Sequence, residues 1–233
     1  MHSPLSSRRS FLHTLAAAGV LTASAALPMV AAESKKNEGE EDVSPAEDLM
    51  REHGVVKRVL LVYREVLRRL DAKIDFPPEQ LRAAAEIIRN FIENYHEKLE
   101  EDHLFPRFRK HGKLVQLVDV LLAQHEAGRR VTDITLRLAT ASALKNTSDR
   151  DQLHQSLASF IRMYEPHEAR EDTVLFPALH EIVSANEYDA LGEDFEKKEH
   201  ELFGQEGFEG QVAKVAGIEK ALGIYDLAQF TPK

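Results

Sequence analysis

An eleven-residue stretch that occurs twice constrains this chain more than any other feature. The first copy is His96-Glu97-Lys98-Leu99-Glu100-Glu101-Asp102-His103-Leu104-Phe105-Pro106, and the second is His167-Glu168-Ala169-Arg170-Glu171-Asp172-Thr173-Val174-Leu175-Phe176-Pro177. Aligned without a gap, both read H-E-x-x-E-[ED]-x-x-L-F-P, and a Phe-Ile pair and a Tyr precede each. On a helix, a His and a Glu four residues apart lie about 40° apart around the axis and share one face. Imidazole nitrogen and carboxylate oxygen on one face suit a transition metal such as iron, and two copies suggest a symmetric site for two ions. The chain has no cysteine. Disulfides, thiolate metal sites and iron–sulfur ligation are therefore excluded, and any metal falls to His and carboxylate.

The repeat is wider than the motif. Leu49, His53, Arg58 and Val59 coincide with Leu121, His125, Arg130 and Val131 at an offset of 72, while His96 and His167 are offset by 71. A whole pair of helices is duplicated, each pair giving one lone His and then one His-x-x-x-Glu. Two helical hairpins about a pseudo-twofold axis would bring His53, His96, Glu100, His125, His167 and Glu171 into one core. Burying two carboxylates and four imidazoles without a cation would cost more than the net stability of a domain.

Apolar periodicity predicts an all-α chain, with no alternating strand runs and no Asn-Gly hairpins. The first helix opens at Ser44-Pro45, with Glu47 and Asp48 in its first turn, and runs to about Leu70. Its inner face is predicted to hold Leu49, His53, Val56, Val59, Leu60, Tyr63 and Leu67. The second helix opens at Pro77-Pro78-Glu79 and ends near Gly112, a glycine at the position after the cap. The third is predicted over about 113–144 and the fourth over about 150–184. Pro106, Pro166 and Pro177 each predict a kink or an interrupted turn. Four long helices with short connections read as an up-down-up-down four-helix bundle over residues 45–186. Two further helices, over 187–203 and about 208–222, form a C-terminal extension over 187–233.

Ahead of the bundle, Ser7-Arg8-Arg9-Ser10-Phe11-Leu12 precedes an uncharged, Ala-rich run ending at Val30-Ala31-Ala32, an A-x-A-like cleavage site. This resembles a twin-arginine signal over residues 1–32, an address for export to the periplasm or another extracytoplasmic space. The run is short and weakly apolar for a membrane span, so no stable insertion is expected after cleavage. Residues 33–44 read as a solvated, disordered linker. Beyond residue 32 the chain holds 28 basic and 39 acidic side chains, a formal charge of −11 at neutral pH. Nothing in such a surface favours nucleic acid or anionic lipid.

The order of ligands, H…H-x-x-x-E…H…H-x-x-x-E with L-F-P after each pair, resembles the hemerythrin-like proteins of the HHE cation-binding type over about residues 45–184. The resemblance implies that the six residues ligate two bridged non-haem irons, with Glu100 and Glu171 as carboxylate bridges, an oxo or hydroxo bridge and one open coordination position. Manganese or zinc would accept similar ligands. The chain departs from the oxygen-carrying members in two places. Arg129 stands where they have a second His, four residues after His125, and the fourth-helix pair is His167 and Glu171 at four residues rather than His and Asp at five. Glu97 and Glu168, which recur in both copies, are the foremost substitute ligands or partners to a ligand His. His103 and His200 are weaker candidates, and His111, His154 and His180 read as surface or helix-end residues. A ferritin-like site is disfavoured, because E-x-x-H occurs around His96 and His103 but not on the fourth helix. The L-F-P segments read as core packing that redirects the helix.

Such a site implies oxygen, nitric oxide or peroxide as the small partner. Three functional classes follow: capture or sensing of oxygen, nitric oxide or iron; an enzyme that reduces peroxide or nitric oxide or repairs iron centres; and a bundle in which metal only stabilises the fold. Arg129, through the His it replaces, favours redox chemistry over reversible oxygen carriage.

Overall fold

The computed structural model of the chain describes residues 43–232. The expected signal segment, residues 1–32, and nearly all of the expected linker lie outside the described residues. Within them every regular element is helical and no strand occurs.

Helix α1 is Pro45–Ala72. The Ser44 hydroxyl accepts the Glu47 N–H at 3.2 Å, and Pro45 takes the first turn, where its missing N–H costs nothing. A long helical rod, α2, covers residues 78–110 and ends as predicted. Gly112 is in the left-handed region at φ +63°, the Lys113 N–H bonds the Phe108 carbonyl at 3.0 Å, and the Gly112 N–H bonds that of Arg109 at 3.1 Å. That pairing is a Schellman cap. Helix α3, Val115–Leu138, stops six residues short of the predicted end. The Thr140 hydroxyl accepts the Ala143 N–H at 3.2 Å, a local bond that offers the backbone an alternative to the helix. The rod α4 covers 147–179 from an N-cap at Asn146, whose side chain accepts the Asp149 N–H at 3.0 Å. It ends at Leu179 rather than near 184, because Ser184 caps the next helix instead, accepting the Glu187 N–H at 3.3 Å.

The two L-F-P segments interrupt the α-helical pattern of their rods in one way. Each is preceded by a π-helical turn that starts at the motif's second glutamate, Glu100–Leu104 in α2 and Glu171–Leu175 in α4. The Phe105 N–H reaches the Glu100 carbonyl and the Phe176 N–H the Glu171 carbonyl, five residues back in each case. The wider turn relieves the clash a Pro ring makes with the carbonyl four residues before it. At Pro166 there is no such turn, and the helix continues to Arg170.

Helix α1 packs against α2 and α4, and α3 packs against both of them, forming a helical bundle with one core. Helices α5 (Ala185–Phe203) and α6 (Gly207–Leu222) extend that core over the α1–α2 side. Phe203 lies edge-on to Phe91 and Tyr95, and Arg58 of α1 donates two hydrogen bonds to Glu219 of α6 at 3.0 and 2.5 Å. This second covering widens the buried face of α1 beyond the predicted stripe. Glu52, Val55, Val62 and Val66 are buried too, while Leu67 is only partly so. On α3 the innermost stripe is Val118, Leu121, His125, Gly128, Thr132 and Thr135, with Leu117, Leu122 and Leu136 at its margin.

Candidate metal centre

The fold brings His53, His96, Glu100, His125, His167 and Glu171 together, and all six are buried. α1 and α3 each supply one His. α2 and α4 each supply His and Glu one turn apart. Two three-residue groups result, His53 with His96 and Glu100, and His125 with His167 and Glu171. In each, a ligand atom of every member lies within 4.8 Å of the others. His53 Nε2 and His96 Nε2 are 3.1 Å apart, and His125 Nε2 and His167 Nε2 are 3.2 Å apart. The carboxylates span the two pairs. Glu100 Oε1 lies 3.9 Å from His96 and its Oε2 3.4 Å from His125, while Glu171 Oε2 lies 3.2 Å from His167 and 3.4 Å from His53.

Each ring is oriented by a hydrogen bond on its far nitrogen. His96 Nδ1 donates to Glu52 at 2.8 Å, His53 Nδ1 to Asp172 at 2.6 Å, His125 Nδ1 to Glu101 at 3.1 Å and His167 Nδ1 to Gln124 at 2.9 Å. Because three of these acceptors are carboxylates, the proton sits on Nδ1 and the Nε2 lone pairs turn inward. Two inward lone pairs at 3.1–3.2 Å repel unless a cation or proton lies between them. None of the four oxygens of Glu100 and Glu171 has a hydrogen-bond partner, although both residues are fully buried. A donor set of imidazole and carboxylate whose buried oxygens lack any donor fits divalent metal ions.

With protons alone in the site, the titrations are strongly displaced. Burial works against a charge on His53, yet Asp172 and Glu171 raise it to about 9. Burial and the neighbouring His53 push His96 well below its ordinary value. Burial, and then repulsion from Glu171, push Glu100 well above the carboxylate range. A proton held here occupies the place of a cation.

Glu97 and Glu168 are buried but bond no ligand His. Glu97 accepts from the Tyr164 hydroxyl and, at 2.7 Å, from Arg129, which also donates to Glu101 at 2.6 Å. Glu97, Glu101 and His125 are close enough to hold a cation, but the Arg129 guanidinium already supplies one. Glu168 lies 3.8 Å from Lys57, and burial raises its carboxyl to about 7. His103 packs on Phe195, away from the centre, and His111, His180 and His200 are exposed.

Two groups of residues that sequence reasoning left without a role belong here. The four ring acceptors stand at duplicated positions. Glu52 and Gln124 precede the lone His, and Glu101 and Asp172 fill the [ED] place after the ligand Glu. Phe105 and Phe176 do more than fill the core. Phe105 stacks on His125 and Phe176 on His53, with ring centroids 5.5 and 5.6 Å apart. For Glu101, Asp172 and the two Phe, recurrence in both copies was the available signal, whereas Glu52 and Gln124 share a place but not a residue type.

The family model of the hemerythrin HHE cation-binding domain matches residues 44–135. Uncharacterized proteins of Mycobacterium bovis and Mycobacterium tuberculosis are each 54% identical to this chain over 195 residues, which cover 84% of it and 76% of the relative. Residues 44–135 thus carry a hemerythrin HHE cation-binding domain. No solved structure matches it. The matched span of the HHE domain holds His53, His96, Glu100 and His125. His167 and Glu171 lie beyond it, on the rod that repeats its motif.

Proposed function

We propose that this HHE protein is an exported diiron protein. His53, His96, Glu100, His125, His167 and Glu171 hold two non-haem irons, at which it binds or senses oxygen, nitric oxide or iron, or does redox chemistry. The observation that carries this reading is the set of four buried, unbonded oxygens of Glu100 and Glu171 facing two pairs of inward-turned imidazoles. Iron with such ligands and an open position supplies binding of a diatomic molecule or peroxide and a change of oxidation state. The chain's own part is to fix the rings through the Nδ1 acceptors, to keep water away with Phe105 and Phe176, and to span both positions with its two glutamates. An up-down-up-down order of α1 to α4, with residues 187–233 as a separate extension, belongs to the same proposal. So does export by the twin-arginine route, which Arg8-Arg9 ahead of the uncharged run supports.

The test starts with protein purified from iron-replete cells. Elemental analysis is expected to find about two irons per chain, and manganese or zinc in their place would correct the metal. The protein is then reduced without oxygen and exposed to air. A visible band that appears with air and disappears on degassing indicates binding, and irreversible oxidation indicates a redox enzyme or sensor. Protein without iron sinks both. Replacing Arg8 and Arg9 by Lys together is expected to retain the chain in the cytoplasm.

Arg129 favours the enzyme reading, reduction of peroxide or nitric oxide, over reversible oxygen carriage. Its guanidinium is committed to Glu97 and Glu101 at the place where an oxygen carrier has a His.

A further inference from the structure

The two metal positions have the same inward groups but different surroundings. At the position formed by His53 and His96, both rings donate Nδ1–H to carboxylates, Asp172 and Glu52. At the position formed by His125 and His167, one ring donates to a carboxylate, Glu101, and the other to the amide oxygen of Gln124. Glu52 and Gln124 occupy the same place in the repeat, one residue before the lone His. A second difference acts in the same direction. Arg129, 22% exposed, bonds Glu101 at 2.6 Å and Glu97 at 2.7 Å and draws charge from the carboxylate that orients His125. Its counterpart Lys57 is 54% exposed and lies 3.1 Å from Asp172, where water screens it.

A ring nitrogen whose partner nitrogen donates to a carboxylate is a stronger electron donor than one whose partner donates to a neutral amide. We infer that the His53–His96 position is the tighter of the two and loads first, and that Gln124 is the residue that makes the His125–His167 position weaker. Loading is then ordered, and the second ion is the exchangeable one. This rests on the diiron reading above.

The inference is tested with cobalt(II) added to the metal-free full-length protein, followed by calorimetry and by visible absorption. Two steps are expected, separated by about 10- to 100-fold, the range that outer partners of a ligand His command. Repulsion between two ions would also separate the steps, so the variants decide. Gln124→Glu should strengthen the second step about tenfold and leave the first unchanged. Glu52→Gln should weaken the first step by a similar factor. Both are near-isosteric, and melting of the metal-free variants checks that they fold. A Gln124→Glu protein with an unchanged second step, or a Glu52→Gln protein whose first step is unaltered, overturns the inference while leaving the diiron reading intact. Failure of the wild type to bind cobalt sinks the reading beneath it, and the inference falls with it.

Discussion

The α1–α2 pair and the α3–α4 pair present the same candidate ligands in the same geometry, yet much of what lies behind those ligands differs. The first hairpin is covered by α5 and α6. The second turns Val120 of α3, 54% exposed, to solvent. Glu52 is matched by Gln124, Lys57 by Arg129, Glu93 by Tyr164 and Val56 by Gly128. What is duplicated faces the centre, and what has diverged lies behind it, much of it still buried. A repeated site can thus remain symmetric in its contacts while its two halves drift apart in charge, packing and pH response.

The largest effect is expected where the halves are still joined. Glu100 and Glu171 each span both His pairs, so Glu171→Ala should empty both positions, and Glu100→Ala should do the same. Elemental analysis after metal loading is expected to find little or no iron. The larger loss of stability should appear with metal present. A ligand at a thousandfold excess over its dissociation constant contributes about 4 kcal/mol to the folded state. In metal-free protein Glu100→Ala removes a carboxyl that burial and repulsion from Glu171 hold well above its usual range and should cost little beyond the cavity it leaves, whereas Glu171→Ala takes a charge partner from His53 and His167 and should destabilise there too. Thermal melting with and without metal separates the two contributions.

Arg129 and Lys57 offer the next contrast. Removing one partner of a buried, hydrogen-bonded ion pair costs about 3–5 kcal/mol, whereas an exposed pair contributes about 0–1 kcal/mol. Arg129→Met leaves Glu97 and Glu101 without their cation and should approach the first figure. Lys57→Met should stay within the second, since Lys57 is more than half exposed. Equal shifts in the denaturation midpoint of the two variants would remove this asymmetry.

Much of this arrangement was legible in the sequence. The helical class, the caps at Ser44 and Gly112, and the convergence of six candidate ligands followed from period, spacing and duplication. The ends of α3 and α4 did not, because a short side-chain bond at Thr140 and a cap at Ser184 outweigh an apolar pattern that continues past them. Two ring acceptors, Glu101 and Asp172, were visible as letters of the motif, but only the crossing of helices shows that Glu101 serves His125 and Asp172 serves His53, each in the opposite helix pair. The part taken by α5 and α6 was hidden for a different reason. They lie outside the repeat, and only packing shows which hairpin they cover.

Glu93 and Tyr164 stand three residues before the two motif His, and at that place only the first half carries a group that titrates near neutral pH. Burial raises the Glu93 carboxyl from 4.5 to about 7 despite Arg89 at 3.1 Å. A carboxyl whose pKa is raised by folding stabilises fully below its unfolded value and loses that contribution as pH rises through the folded one. Each pH unit between those two values is equivalent to about 1.4 kcal/mol, so ionising this group should cost up to about 3 kcal/mol between about pH 4.5 and 7.5. Glu93→Gln should flatten the stability profile in that window. Some slope remains from Glu168, also raised by burial to about 7. Tyr164 is pushed by burial well above the ordinary phenol range and contributes no slope there. An unchanged profile in Glu93→Gln would show that the group is ionised in the native state.

Gly128 and Val56 differ because Tyr164 needs room in the second half. A methyl group on Gly128 would meet the Tyr164 hydroxyl at 2.7 Å and its ring edge at 3.0 Å. That hydroxyl donates to Glu97, so it cannot move freely. Overpacking of this kind costs about 1–3 kcal/mol, and Gly128→Ala should lie in that range by denaturant unfolding. Adding Tyr164→Phe should recover only part, since the ring edge remains.

The smallest expected effect belongs to a histidine outside the repeat. His154 is on α4, and its counterpart position in α2 is Ala83. Its side chain is 39% exposed and meets Asp71, itself 70% exposed, at 3.0 Å. An exposed pair of that kind contributes little, so His154→Ala should change stability by less than about 0.5 kcal/mol. Its metal content should equal that of the wild type. The comparison with Glu171→Ala is what gives this variant its value. Both residues lie on one rod, and only the one with a duplicate faces the centre. If the two variants lost iron equally, duplication would not mark the ligands, and the assignment of all six would be wrong.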